Sequence, residues 1–265
     1  MDEEILCRLL GYLFGDASMR IKRVKGTEKI QTDVIIECAD RAIVEDFSGV
    51  CRRLLERDVG SIGKRKRSKN WRATYTFSCK INKEWRKRLF GLSPTYRTKP
   101  YVGSVKRYPN VKIPGVVFKN KHTLRNFLQA MVNSEGSVQL RVWKHNKWFE
   151  LLRYVKISCS HPTVLDAIHK TLNSIGVDNR KAPKRNPNSV IIQKKEAMRK
   201  FSNEIGFMKG IWVSRTGLWK GHEKRDILNL AIKTFDMPRG HLQRFNTEKQ
   251  VYWFLRRQLS PGNGL

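Results

Sequence analysis

Apolar residues recur along the chain at spacings that predict two similar series of helices and strands. In the first series, apolar positions at helical spacing run from Ile5 to Leu13 behind Asp2, a residue type that caps helix N-termini. A second helix is predicted to begin after Asp40 and to end at Gly60. The remaining predicted elements are strands at residues 19–25, 32–38 and 72–80, and a short helix that ends at Gly91.

The second series repeats this order in the following part of the chain. Its opening helix is predicted to close at residues 133–136, and two further helices end at Gly176 and Gly206. The predicted strands lie at residues 137–144, 152–159 and 190–192. The same order of elements in both series indicates an internal repeat.

Equivalent landmarks of the two series lie at nearly constant offsets. Asp16 and Glu135, which close the opening helices, are 119 residues apart, and Cys38 and Cys159, which end the second strands, are 121 residues apart. Duplication of one αββαββα unit therefore predicts an α+β fold of two pseudo-symmetric halves. The predicted division is a first half at 1–92, a linker at 93–121, a second half at 122–215 and a C-terminal helical extension at 216–265.

The charge balance favours a polyanionic partner. The 265 residues include 54 Lys and Arg against 23 Asp and Glu, a formal net charge of +31. A surplus this large repels itself in a compact fold unless a polyanion neutralises it, and nucleic acid is the leading candidate. The alternatives are a basic protein whose charge only aids solubility and a protein of the membrane surface. The basic run at residues 63–69 is predicted to be a solvated loop that faces phosphates, in preference to a nuclear localisation signal.

Composition excludes several other classes of protein. Hydrophobic residues make up 40% of the chain, which is enough for a core and excludes a wholly disordered basic tail. No apolar run reaches the roughly 18 residues of a membrane span, and the acidic start of the chain is unlike a secretory signal. The five cysteines include no CxxC pair, which argues against a disulfide framework or a zinc finger. We therefore expect an intracellular protein, in the cytoplasm or an organelle matrix.

The two opening helices carry a paired motif. Each has two small residues four positions apart followed directly by an acid: Gly11, Gly15 and Asp16 in the first, and Ala130, Ser134 and Glu135 in the second. Small residues at this spacing share a helix face and allow close packing, which would bring the two acids together. Carboxylates about 5 Å apart repel by roughly 3 kcal/mol at an effective dielectric constant near 20. Mg²⁺, which prefers hard oxygen ligands, would relieve this repulsion. The alternative is that each acid is an ordinary solvated residue that closes a helix.

These motifs resemble the paired signature helices of LAGLIDADG homing endonucleases in the single-chain, two-motif form. The second motif, LQAMVNSEG, is a good match, whereas the first, LGYLFGDAS, has Ala17 and Ser18 where glycine is usual. The resemblance covers roughly residues 4–215. It implies that two αββαββα halves form a saddle of antiparallel sheets over duplex DNA. It also implies intron homing through metal-dependent cleavage of both strands across the minor groove, which leaves short 3′ overhangs.

The resemblance also implies roles for individual residues. Asp16 and Glu135 correspond to the metal-binding acids, and the backbone carbonyls of Gly15 and Ser134 are expected to assist them. The expected cofactor is Mg²⁺, for which other divalent cations such as Mn²⁺ would substitute.

The family places a basic residue near each scissile phosphate, at the end of the fourth strand of a half. Strand alternation puts Lys80 on the DNA side, and Lys194 is the corresponding prediction in the second half. A plain phosphate contact or a solvated charge is the alternative for each lysine. At the end of the second strand, where the family often has a polar residue that orients water, this chain has Cys38 and Cys159. The neighbouring side chains that could serve instead are Glu37 and Ser158.

Strand side chains are expected to contact base edges in the major groove. The candidates are Arg20, Lys22, Arg72, Thr74, Thr76, Gln139 and Arg141. We expect a monomer that binds double-stranded DNA at an asymmetric site, because the two halves differ in sequence. Two alternatives on the same fold stay open, namely a maturase that binds intron RNA and a catalytically dead DNA-binding protein.

Overall fold

The computed structural model describes residues 2–55, 60–65, 73–101, 107–146, 148–183, 188–213, 218–238 and 240–259. Seven elements in the predicted order form each half of the repeat. Those of the first half are α1 (Glu3–Phe14), β1 (Ala17–Arg23), β2 (Ile30–Cys38), α2 (Arg41–Leu55), β3 (Gly63–Arg65), β4 (Thr74–Ile81) and α3 (Lys83–Leu92). Those of the second half are α4 (Lys121–Glu135), β5 (Gly136–Lys144), β6 (Phe149–Ser158), α5 (Pro162–Ser174), β7 (Arg180–Lys181), β8 (Ser189–Ile192) and α6 (Lys195–Glu204).

The two halves contain equivalent antiparallel sheets, which confirms the predicted α+β fold. The strand orders are β1-β2-β4-β3 and β5-β6-β8-β7, so the first strand of each half lies at a sheet edge. Asp2 caps α1 as predicted, because its carboxylate accepts the backbone N–H groups of Glu4 and Ile5. Asp40 precedes α2, but its carboxylate accepts the backbone N–H of Trp212 at 3.1 Å.

The αββαββα order predicts a third strand in each half, but the sequence does not place β3 or β7, since strands of two or three residues carry no alternating pattern. The prediction of a loop at residues 63–69 is wrong for Gly63–Arg65, which pair with β4 in the register Gly63 to Thr76 and Arg65 to Thr74. Residues 66–69 lie outside the described residues. The same is true of residues 56–59, so the predicted helix end at Gly60 is described only as far as Leu55.

Helices α1 and α4 pack directly on each other, as their small residues predict. A Cβ atom added to Gly11 would lie 2.3 Å from the Phe127 carbonyl oxygen and 2.8 Å from the Ala130 Cβ. One added to Gly15 would lie 2.7 Å from the Ser134 Cβ. These distances are too short for any side chain, so glycine is required where the two helix backbones approach.

Each sheet has one apolar face packed into the core and one polar face. In β4, Phe77, Cys79 and Ile81 are buried, while Ser78 and Lys80 between them are exposed. In β5 the buried residues are Val138, Leu140 and Val142. The core continues from one half to the other, because the ring of Phe14 makes edge contacts with Phe127 and with Tyr96 of the linker.

Beyond the second half, the chain continues into helices α7 (Lys224–Lys233) and α8 (Glu248–Arg257). Side chains from this C-terminal extension bind the outer edge of β5. The Trp219 Nε1–H donates to the Leu140 carbonyl at 2.6 Å, and the Val142 N–H donates to the Tyr252 hydroxyl at 2.8 Å. The extension therefore satisfies backbone groups that an edge strand would otherwise leave open.

None of the helices in the described part of the chain has both the length and the apolar character needed to cross a bilayer.

Candidate active site at the paired helix ends

The two acids of the paired motif lie where α1 and α4 give way to strands. Helix α1 ends at Phe14, Gly15 follows as its cap, and Asp16 directly precedes β1. Glu135 is the last residue of α4 and directly precedes β5. Because Gly15 packs against Ser134, the acids that follow them lie close enough for the charge of Asp16 to raise the pKa of Glu135.

The protein environment favours the protonated forms of both acids. Glu135 is half-buried, and desolvation raises its pKa from 4.5 to about 7, with a further increase from the charge of Asp16. Asp16 retains accessible surface, but the surrounding protein partly desolvates it and raises its pKa from 3.8 to about 6. The charge of Asp40 also raises the pKa of Asp16, so three acids contribute to one region of negative potential.

Two lysines oppose this negative charge. The charges of Lys224 and Lys99 both lower the pKa values of Asp16 and Glu135. Lys224, the first residue of α7, donates from Nζ to the Gly136 carbonyl at 2.8 Å and lies 5.6 Å from the centre of the Phe207 ring. Desolvation lowers the pKa of Lys224, against the effect of the neighbouring acids. The site therefore combines two carboxylates with two cations from outside the repeated units.

Sequence reasoning missed both lysines. Lys99 lies in the linker and Lys224 in the C-terminal extension, and neither segment has a counterpart in the other half. No local motif marks either residue, because each reaches the acids only through the fold. For the same reason, the sequence assigns no role to the C-terminal extension.

Lys80 and Lys194, the two lysines to which the resemblance gives a basic role, are both exposed and lie next to other acidic residues. Lys80 is exposed on the polar face of β4, where its register partner on β2 is Asp33. Lys194 is exposed at the start of α6 and forms an ion pair with Asp178 at 2.6 Å. The alternation that put Lys80 on the polar face is correct, and the roles of Lys80 and Lys194 near a scissile phosphate stay predictions.

The cysteines at the ends of the second strands lie near the acids. The Cys38 thiol hydrogen-bonds to Asp16 and lowers the pKa of that acid. In the second half, the charge of Glu135 helps to raise the pKa of Cys159, although desolvation is the larger cause. Of the neighbouring polar residues, Glu37 accepts a hydrogen bond from the Thr74 hydroxyl at 3.0 Å. Ser158 is half-buried and pairs with Ser189 of β8.

The predicted DNA contacts lie on strands, in several cases with partners from the same sheet. Arg20 is exposed, whereas Lys22 forms an ion pair at 3.1 Å with Asp33, which is only 3% exposed. Arg141 donates to Gln139 at 2.8 Å on β5. Thr74 and Thr76 are half-buried on β4. Arg72 lies outside the described residues.

The acid pair suits a hard divalent cation. Among the described residues, no three His, Cys, Asp or Glu side chains are arranged so that they could hold a metal ion together, so protein side chains would supply only part of a coordination shell. Repulsion between two nearby carboxylates disfavours their ionisation, and a cation that binds between them relieves this repulsion. Oxygen ligands with open positions for water or phosphate are typical of Mg²⁺ sites. The donor set therefore fits Mg²⁺ or a similar ion.

Comparison with known proteins identifies the fold. No protein-family model matches the chain, and no curated protein matches it. The structure of meganuclease I-SmaMI bound to uncleavable DNA matches with a TM-score of 0.57 at 12% identity, over 96% of this chain and 98% of that one. A lysine-to-alanine mutant of I-SmaMI also gives 0.57, at 11% identity over 99% and 100%. I-DmoI in complex with DNA and Mn gives 0.48 at 15% identity, over 77% and 97%. The chain therefore has the fold of the single-chain, two-motif LAGLIDADG homing endonucleases.

Proposed function

We propose that the chain is a metal-dependent endonuclease that cleaves both strands of a long, asymmetric site in double-stranded DNA. The observation that carries the proposal is the pair of carboxylates, Asp16 and Glu135, which the close packing of α1 on α4 brings together at the ends of these helices. A net charge of +31 supports a polyanion as the ligand. I-SmaMI, which has the same fold, is described in a complex with DNA. We propose that the chain acts as a monomer, since one chain holds both halves of the site.

Asp16 and Glu135 would hold the metal ion through their carboxylate oxygens. The backbone carbonyls of Gly15 and Ser134 are the proposed further ligands, and Mg²⁺ is the proposed ion, with Mn²⁺ as a substitute. A bound divalent ion would supply Lewis-acid stabilisation of the attacking and leaving oxygens at a phosphate.

The remaining side chains would stabilise charge on the phosphate or orient a carboxylate. We assign to Lys99 and Lys224 the basic role that the resemblance gives to Lys80 and Lys194, because the charges of Lys99 and Lys224 act on the acids. Each would stabilise the negative charge that grows on a phosphate in the transition state. The hydrogen bond from Lys224 to the Gly136 carbonyl fixes its position beforehand. The Cys38 thiol, which bonds to Asp16, would orient that carboxylate.

The test is selection of a target followed by cleavage. The purified chain is incubated with a library of randomised duplexes, bound sequences are enriched, and the enriched pool is treated with Mg²⁺, Mn²⁺ or EDTA. We expect breaks in both strands with either metal and none in EDTA. Binding should also weaken steeply with salt, with a slope of log K against log salt near −9 if about 10 phosphates are contacted.

Amide variants locate the chemistry. Asp16→Asn and Glu135→Gln should each abolish double-strand cleavage and leave DNA binding intact or stronger, because they remove a metal ligand and a negative charge beside the phosphates. Asp178→Asn is the control, since it neutralises an exposed acid that pairs with Lys194 outside the site. If both site variants cleave at the normal rate, the assignment of the acids is wrong. Binding without cleavage by the unaltered chain would indicate a DNA-binding protein with inactive motifs.

A further inference from the structure

An exposed aromatic cluster lies at the outer end of the second sheet. In β5 the buried residues Val138, Leu140 and Val142 alternate with the polar-face residues Gln139 and Arg141, and Trp143 continues this second series. Trp143 is 55% exposed, although it is the largest side chain on that strand. It therefore lies on the same face as the proposed DNA contacts, two residues beyond Arg141.

The cluster is held in a fixed arrangement by contacts across the hairpin between β5 and β6. His145 stacks on Trp148 with ring centroids 3.8 Å apart and ring planes 9° apart. The Nε2 atom of His145 lies 3.1 Å from Oε2 of the Glu150 carboxylate. Glu150 is the register partner of Trp143 on β6. The Trp143 ring lies 6.5 Å from the His145 ring. Apolar surface is thus presented in a defined orientation before any ligand binds.

The equivalent hairpin of the first half shows that the aromatic residues are not needed to form the turn. Between β1 and β2, the Val24 N–H donates to the Lys29 carbonyl at 2.9 Å and the Thr27 hydroxyl donates to the Val24 carbonyl. Residues 24–29 include no aromatic side chain. The exposed rings of the second half therefore require another explanation, and a ligand surface is the ordinary one for apolar groups presented to water.

We propose that Trp143 contacts the 5-methyl group of a thymine in the major groove, at the outer end of the DNA segment bound by the second half. The thymine methyl is the only apolar group on the major-groove edges of the bases. The cation Arg141, two residues away on the same face of β5, would contact the DNA beside it. This inference rests on the proposed function, because it takes duplex DNA as the ligand of the polar face.

The test uses the enriched duplexes with each thymine of the second half-site replaced singly by deoxyuridine, which lacks the methyl group. For the unaltered chain, we expect one outer position at which this replacement weakens binding by roughly 4- to 10-fold, the effect of burying one methyl group. Trp143→Ala should bind the thymine and uracil duplexes equally, whereas Trp143→Phe should retain part of the difference.

Phe118→Ala is the matched control. Phe118 is 50% exposed in the turn that precedes α4, at the opposite end of that helix from Glu135, and its removal should leave the thymine preference unchanged. The inference is overturned if deoxyuridine has no effect at any outer position. It is also overturned if Trp143→Ala keeps the preference, or weakens binding equally for all sequences. Failure to enrich any sequence would overturn the proposed function itself, whereas enrichment without methyl dependence would overturn only the role of Trp143.

Discussion

The two halves share their topology but differ at the outer edges of their sheets. In the first half, β1 is exposed along residues 20–23. In the second half, the C-terminal extension covers the equivalent strand, and Trp219 and Tyr252 hydrogen-bond to its backbone. The difference shows that the repeated unit does not determine whether the outer edge of its sheet is covered. That depends on segments of the chain added outside the repeat.

The candidate site shows the same division between repeated and added segments. The acids Asp16 and Glu135 come from equivalent positions of the two halves. The lysines that offset them, Lys99 and Lys224, come from the linker and the extension, and the charge of each acts on both acids. The symmetry of the proposed metal ligands therefore does not extend to these two lysines, and each lysine can be mutated separately.

The largest expected effect is on cleavage by lysine variants. Lys99→Met and Lys224→Met should each lower the first-order cleavage rate at saturating DNA by about 100- to 1,000-fold, the usual effect of removing one group that stabilises transition-state charge. If each lysine serves one strand, single variants should accumulate nicked DNA, which gel electrophoresis of a supercoiled plasmid detects.

Lys80→Met and Lys194→Met are the matched controls, because both residues are exposed cations with other surroundings. Both should cleave near the normal rate once DNA is saturating. Loss of cleavage in these two variants, with normal cleavage by the Lys99 and Lys224 variants, would restore the assignment based on resemblance.

The next effect is on stability, where the two halves meet. Gly11→Ala should lower the free energy of unfolding by about 1–3 kcal/mol, because the new Cβ would lie 2.3 Å from a backbone oxygen of α4 and the helices would have to separate. Gly49→Ala, in α2, is the control, since among the described residues only the backbone of its own helix lies within 4 Å of the added atom. It should raise stability by up to about 1 kcal/mol through helix propensity. Urea denaturation measures both, and equal effects would mean that α1 and α4 do not pack this closely.

Most of the fold was predictable because it follows from periodicity. The alternation in β4 and the helical spacing around Gly11 and Ala130 each report a local environment, and both predictions agree with the structure. The positions of β3 and β7 could not be predicted, because these residues form strands by pairing with a longer neighbour and have no alternating pattern of their own.

The candidate site was predictable only in its repeated part. Asp16 and Glu135 stand out because two motifs carry the same spacing. Lys224 lies 89 residues beyond Glu135 in a segment with no repeat partner, and its approach to the acids depends on how α7 packs against β5. Lys22 is likewise predicted to contact DNA, and the sequence does not show that its side chain forms an ion pair with the buried Asp33.

A smaller effect is expected at the covered edge of the second sheet. Tyr252→Phe removes only the hydroxyl that accepts the Val142 N–H, which leaves a buried donor without that partner. The free energy of unfolding should fall by about 1–2 kcal/mol. Trp253→Phe on the same helix is the control, because Trp253 is 57% exposed, and it should change stability little. Equal stability of the two variants would mean that the extension does not protect the edge of β5.

The smallest expected effect is a pH dependence that distinguishes the acid pair from ordinary helix ends. Folding raises the pKa of Asp16 to about 6 and that of Glu135 to about 7, above their ordinary values of 3.8 and 4.5. The native state therefore binds protons more tightly than the unfolded chain, and this contribution to stability is complete below about pH 4 and is lost as the pH rises through 6 and 7.

In EDTA, the Tm of the unaltered chain should accordingly rise relative to that of Glu135→Gln when the pH is lowered from 8 to 5. The difference in Tm between the unaltered chain and Gly49→Ala should stay constant, because that variant changes no ionisable group. Mg²⁺ should reduce the effect at pH 8, since a bound cation stabilises both carboxylates in their ionised forms. A difference from Glu135→Gln that does not change between pH 5 and 8 would mean that the two acids are solvated independently, and would remove the electrostatic argument for a shared metal site.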